Sequence, residues 1–131
     1  MKKYVKKFMV VMCAMIIFCS SVSALAATLE LRIYTNDISR TSATVECSGN
    51  ITFEGANSIY STNDLYVGLY EDTFGIDPYL VDIRLQPGTG EMGAHWHMIL
   101  NNFSLGGTKD LYIRLEPVDG FGCYGGGKLT Y

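Results

Sequence analysis

The sequence predicts an all-β domain, an antiparallel sandwich of about seven strands in two sheets. Three observations support this prediction. Apolar and polar residues alternate with a period of two in one segment after another, turn residues separate these segments at short intervals, and no stretch has the apolar period of a helix. Short strands at such spacing are typical of a two-sheet sandwich.

Each predicted strand has one set of side chains that points inward, because successive residues of a strand face opposite sides. Leu65, Val67 and Leu69 alternate with Tyr66, Gly68 and Tyr70 in this way. The seven segments are 28–35, 42–49 with a continuation through 51–55 across a bulge, 64–72, 79–87 with Tyr79 and Val81 inward, 95–103, 110–117 and 127–131. Glycine, proline and asparagine occupy the turns between them.

The N-terminal residues predict export. Four lysines in the first seven residues precede an uncharged apolar run, and the small-residue pattern Ala24-Leu25-Ala26 follows. A membrane anchor is the alternative, but the apolar run is shorter than the ~20 residues that a span requires. We therefore predict a cleaved signal peptide at 1–26 and a single β-sandwich domain at 27–131. The signal resembles those of Gram-positive bacteria, which implies a secreted protein.

The charge of the mature chain excludes two classes of partner. Residues 27–131 contain six basic and 13 acidic side chains, a net charge of −7. Nucleic acids and anionic membranes are bound by clustered positive charge, so neither is an expected partner. The oligomeric state does not follow from the sequence.

Motifs for catalysis or cofactor binding are absent from the sequence. None of the patterns GxSxG, HExxH and GxxxxGK[ST] occurs, and no serine or cysteine is placed in a recognisable catalytic pattern. We predict that the protein is not an enzyme and has no cofactor.

The segment Gly93–Leu100 contains the two histidines of the chain and its one tryptophan. On a strand, Trp96, Met98 and Leu100 would point inward, and His95 and His97 would stand together near solvent. Two imidazoles at this spacing can reach one metal ion, but zinc or copper needs further ligands, for which Glu91 is the candidate. We therefore interpret the segment as a strand. A metal-binding domain or metal-dependent enzyme centred on His95 and His97 remains an alternative.

Two cysteines, Cys47 and Cys123, remain after removal of the signal. In an exported domain of this size, such a pair predicts a disulfide. The alternative is two buried free thiols.

Two segments of the chain resemble fibronectin type III and related immunoglobulin-like domains of secreted proteins. ISRTSATVECSG is similar to the passage from the first to the second strand, and DLYIRLEPVDGFGCYGGGKLTY is similar to the last two strands with their loop. The resemblance covers about a third of the mature chain. It implies a domain that serves adhesion, spacing or binding.

An immunoglobulin-like strand order would place the third predicted strand beside the sixth. Tyr66 and Tyr70 would then share an outward face with Tyr112 and Arg114, and such a face suits stacking on sugars or contact with a protein. We therefore predict a secreted, non-enzymatic module that binds an extracellular protein or glycan through this face or through loop 120–127. Ordinary cross-strand pairing of tyrosines is the alternative for the face. A secreted antagonist, similar to a bacteriocin or a peptidase inhibitor, is the alternative for the function.

Overall fold

The computed structural model describes residues 25–90 and 98–131. Most of the predicted signal peptide (1–24) and the segment 91–97 lie outside the described residues. Glu91, His95, Trp96 and His97 belong to that segment, so the interpretations of this segment stay predictions. In the described ranges, no helix has the length and hydropathy needed to cross a membrane.

All regular secondary structure in the described residues is β-strand, as the alternation predicts. The strands are β1 (Thr28–Ile33), β2 (Arg40–Thr41), β3 (Val45–Cys47), β4 (Asn50–Asn57), β5 (Leu65–Glu71), β6 (Tyr79–Leu85), β7 (Ile99–Ser104), β8 (Lys109–Pro117) and β9 (Gly125–Thr130).

The strands form two antiparallel sheets, which confirms the predicted sandwich. Sheet A has the order β1-β9-β4-β7, and sheet B has the order β2-β8-β5-β6 with β3 also paired to β8. The inward residues of both sheets form one core. In β8, for example, Leu111, Ile113 and Leu115 are completely buried.

The order of the strands is that of a long antiparallel hairpin rolled into two sheets. The first strand pairs with the last, β2 and β3 pair with β8, β4 pairs with β7, and β5 pairs with β6. Such wrapping produces the jelly-roll class of sandwich. In immunoglobulin-like domains the first and second strands are instead neighbours within one sheet. The strand order thus differs from the one that the resemblance implies.

Gly49 explains part of this difference. The sequence predicts a continuous, bulged strand from 42 to 55, but Gly49 has a φ of 74°, a left-handed conformation that glycine adopts without strain. The chain turns there and leaves sheet B, where β3 pairs with β8, for sheet A, where β4 pairs with β7 and β9. The Leu105 amide donates to the Gly49 carbonyl oxygen at 2.8 Å and holds the turn.

Two irregularities in strand pairing correct the predicted side-chain directions. Leu69 pairs with Val81, but Tyr70 pairs with Tyr79, so Leu80 is an extra residue in β6. Tyr79 is therefore 68% exposed, and the prediction that it points inward is wrong. A similar shift between Phe53 and Glu54 accompanies Met98, which was also predicted to point inward and is 37% exposed.

The glycines near the C-terminus belong to a strand. Loop 120–127 was predicted to be exposed, but Gly125, Gly126 and Gly127 are buried in β9, between β1 and β4. Their lack of side chains allows close approach of the two sheets, because a Cβ at Gly127 would lie 2.9 Å from Ile113 Cγ2. The connection from β8 to β9 therefore ends at Tyr124, and the prediction of one exposed loop is wrong.

The predicted disulfide between Cys47 and Cys123 is also wrong, because both thiols are free and buried. Cys47 pairs with Lys109 at the start of β8. Cys123 donates to the Asn63 carbonyl oxygen at 3.2 Å, beside the end of the same strand. The nine residues of β8 place these ends about 26 Å apart, whereas bridged cysteines have Cα atoms about 6 Å apart.

The buried thiols lead to the first testable prediction. Burial raises the pKa of Cys47 and of Cys123 to about 11, so both stay protonated and unreactive at pH 8. With residues 27–131 and no reductant, we expect neither thiol to react with a thiol reagent in the folded state, and two to react in urea. If the two thiols react in urea only after a reductant is added, the disulfide exists and the free thiols of the structure are wrong.

Candidate functional site

The outer side of sheet B brings together the four residues that the sequence predicts as a binding face. β5 and β8 are neighbours, as predicted, and their register pairs Tyr70 with Tyr112, Gly68 with Arg114 and Tyr66 with Glu116. All four predicted residues therefore face the same side. We call this surface, which also includes Tyr79, the tyrosine face.

Three tyrosines form a row across β6, β5 and β8. The ring centroids of Tyr79 and Tyr70 are 6.5 Å apart with an edge-to-face geometry. Those of Tyr70 and Tyr112 are 5.5 Å apart, and the two rings are nearly parallel. Sequence reasoning missed Tyr79, because the extra residue in β6 that turns it outward leaves no sign in the alternation.

Gly68 makes room for the central ring of this row. A Cβ at this position would overlap the Tyr70 ring, so the glycine allows the ring to lie over the backbone of β5. The Tyr70 hydroxyl then reaches across to β6 and donates to Asp82 Oδ2 at 3.1 Å. The floor of the tyrosine face is consequently an aromatic ring with its hydroxyl anchored.

Nearby carboxylates hold two of the phenols as hydrogen-bond donors. Burial and Asp82 raise the pKa of Tyr70 to about 12. The Tyr112 hydroxyl donates to Asp77 Oδ2 at 2.9 Å, and burial together with that bond raises the pKa of Tyr112. Both rings therefore stay neutral and fixed in orientation at physiological pH.

Two open depressions lie on the tyrosine face, and Arg114 lines both. The first has a volume of about 240 Å³ and is lined by Tyr66, Tyr70, Asp82, Arg114, Glu116, Pro117 and Val118. The second has a volume of about 350 Å³ and is lined by Ser39, Thr41, Ser42, Thr44, Asp72, Asp77, Tyr112 and Arg114. Hydroxyl and carboxylate groups dominate both linings.

Arg114 has donors to spare for a ligand. Its guanidinium contacts Glu116 Oε2 at 2.9 Å, and the two side chains are 45% and 51% exposed. An exposed pair of this kind contributes little to stability. The guanidinium has five N–H groups, of which this contact uses few. Arg114 can therefore bind acceptor groups in either depression.

The connection between β5 and β6 is a loop with a hydrogen-bonded base and an apolar tip. Phe74 is completely exposed and Ile76 is 92% exposed. Hydrogen bonds brace the base, since the Thr73 amide donates to Asp77 Oδ1 at 2.9 Å and the Thr73 hydroxyl donates to the Ile76 carbonyl oxygen at 3.1 Å. The loop lies beside the second depression, which Asp72 and Asp77 line.

The described residues contain no group of three or more His, Cys, Asp and Glu side chains that could hold a metal ion. Their side chains on the tyrosine face can stack on a ligand ring and can exchange hydrogen bonds with it.

Comparisons with known proteins give little further information. No protein-family model and no curated protein matches the chain. One solved structure, described as that of the infectious bursal disease virus Gt strain, is similar over 82% of this chain and 31% of that chain, with 12% identity and a TM-score of 0.32. A likeness this weak supports no conclusion about function.

Proposed function

We propose that this protein is an exported, non-enzymatic binding module that holds a glycan on the tyrosine face. The observation that carries the proposal is the lining of the two depressions, where tyrosine rings lie beside the exposed Arg114 guanidinium and several hydroxyls and carboxylates. The proposal that the protein is exported rests on the N-terminal sequence.

A glycan matches both the aromatic and the polar groups of this lining. A sugar ring has an apolar face that packs on an aromatic ring, and hydroxyls at its edge that exchange hydrogen bonds with charged and polar side chains. Tyr66 is 38% exposed and offers the ring. Arg114 donates, and Asp82 and Glu116 accept.

The second prediction tests this face. We expect Arg114→Ala and Tyr66→Ala each to weaken binding of residues 27–131 to a glycan by about tenfold or more, because each removes a charged hydrogen-bond donor or a stacking surface. The measurement is retention on insoluble chitin, cellulose, xylan and peptidoglycan, followed by calorimetry with soluble fragments of the polymer that binds.

Matched controls are available at exposed positions elsewhere. Tyr60 is 78% exposed in the connection between β4 and β5. Arg32 lies on β1, in the other sheet. Tyr60→Ala and Arg32→Ala should bind as the unmodified protein does. Equal binding by all four variants, or binding by none of the proteins, would contradict the proposal.

An antagonist of another protein is the second candidate function, and the braced loop with Phe74 and Ile76 favours it. A rigid exposed loop with apolar side chains is suited to insertion into a pocket of a target, because little conformational entropy is lost on binding. Such a role would depend on Phe74 and Ile76. Binding of the target protein would not change in Tyr66→Ala, so the same variants would distinguish this role from glycan binding.

A further inference from the structure

The two depressions adjoin on the outer side of sheet B, because Arg114 lines both. One register row joins Thr41 on β2, Arg114 on β8, Gly68 on β5 and Asp82 on β6. Four neighbouring strands cover about 14 Å at a spacing of about 4.8 Å. Asp82 lies in the first depression, Thr41 lies in the second, and Arg114 lines both. We call the two adjoining depressions the groove, and together they extend farther across the strands than either depression alone.

Tyrosine and glutamate side chains border this row on its two sides. Tyr70 and Tyr112 occupy the next register row in one direction, and Tyr66 and Glu116 occupy the next in the other. Gly68, at the centre, has no side chain and is covered by the Tyr70 ring. The Tyr70 ring therefore lies over the centre of this row and offers an aromatic surface there, with its hydroxyl bonded to Asp82.

The charge of the groove selects against one ligand class. Four carboxylates line it, those of Asp72, Asp77, Asp82 and Glu116, against the one guanidinium of Arg114. An acidic ligand would be repelled, whereas the hydroxyls of a neutral sugar can donate to these carboxylates.

We infer that the ligand is a linear oligosaccharide without acidic groups, at least three sugar units long, which lies across the strands with Arg114 between two neighbouring units. This inference rests on the proposed function. A monosaccharide would fill one depression, whereas a longer chain would contact Asp82 and Thr41 at the same time.

The test is calorimetry with residues 27–131 and neutral chito-, cello-, xylo- and malto-oligosaccharides of one to six units, with oligogalacturonates of equal length as the acidic arm. In the series that binds, we expect affinity to rise at least tenfold from one to four units and then to level off. Oligogalacturonates should not bind.

Variants at the two ends of the groove add a second readout. Asp82→Asn and Thr41→Val should each weaken binding of the tetrasaccharide about fivefold, which corresponds to one hydrogen bond, and their effects should multiply in the double variant. Thr130→Val, on the outer side of sheet A, is the matched control. It should have no effect.

The outcomes separate this inference from the proposed function. If a monosaccharide binds as tightly as the tetrasaccharide and Tyr66→Ala weakens both, the face binds glycans but the extended chain is refuted. If the protein prefers oligogalacturonate, the face binds glycans, but the inference that the ligand has no acidic groups is refuted. If no series binds, the proposed function and the inference fall together.

Discussion

Replacement of Phe53 by alanine is expected to lower the free energy of unfolding of residues 27–131 by about 3–5 kcal/mol, the range for deletion of a large buried aromatic side chain. Phe53 is completely buried on β4 and is among the largest buried side chains of the core. Its ring packs beneath β9, because a Cβ at Gly127 would lie 3.5 Å from Phe53 Cε2. Urea unfolding with an unchanged m-value measures the loss.

Phe74→Ala is the matched control, because it removes the same atoms from a completely exposed position. We expect a change within about 0.5 kcal/mol. Equal effects of the two substitutions would mean that Phe53 does not lie in the core, and the arrangement of sheet A would have to be revised.

The second large effect is expected from Gly125→Ala. A Cβ at this position would overlap the Ala56 carbonyl oxygen and would lie 2.8 Å from Leu65 Cδ2. The obstruction at Ala56 is backbone in the neighbouring strand β4, which cannot move without loss of strand pairing. Overpacking of this kind costs about 3 kcal/mol, so the variant should unfold at a clearly lower urea concentration.

Gly106→Ala tests whether steric conflict is the cause. No atom lies within 4 Å of a Cβ at Gly106, and no positive φ occurs there. The same methyl group should therefore change stability little. A Gly125→Ala variant as stable as Gly106→Ala would show that the Ala56 carbonyl and the Leu65 side chain lie farther from Gly125 than the structure places them.

The candidate site was partly predictable because strand periodicity is local. The alternation places Tyr66 and Tyr70 on one side of a strand, and Tyr112 and Arg114 on one side of another, whichever strands are neighbours. The adjacency of β5 and β8 was predicted from an immunoglobulin-like order, and it holds in the rolled-hairpin order as well. Three of the four carboxylates of the site, those of Asp72, Asp77 and Asp82, come from the β5–β6 loop and from β6, which no local pattern connects to β8.

The sequence by itself determined the class of the fold and the inner and outer sides of most strands. A strand of period two must bury one set of residues, and in β5 that set is Leu65, Val67 and Leu69, all completely buried. The sequence also predicts export, and its acidic charge predicts that nucleic acid is not a partner.

The tertiary structure alone decided which strands are neighbours, because pairing between distant segments depends on the packing of the whole core. It placed Cys47 and Cys123 at opposite ends of β8, and it turned the chain from one sheet to the other at Gly49. It also turned Tyr79 outward, because one extra residue in β6 reverses the side on which every preceding side chain lies.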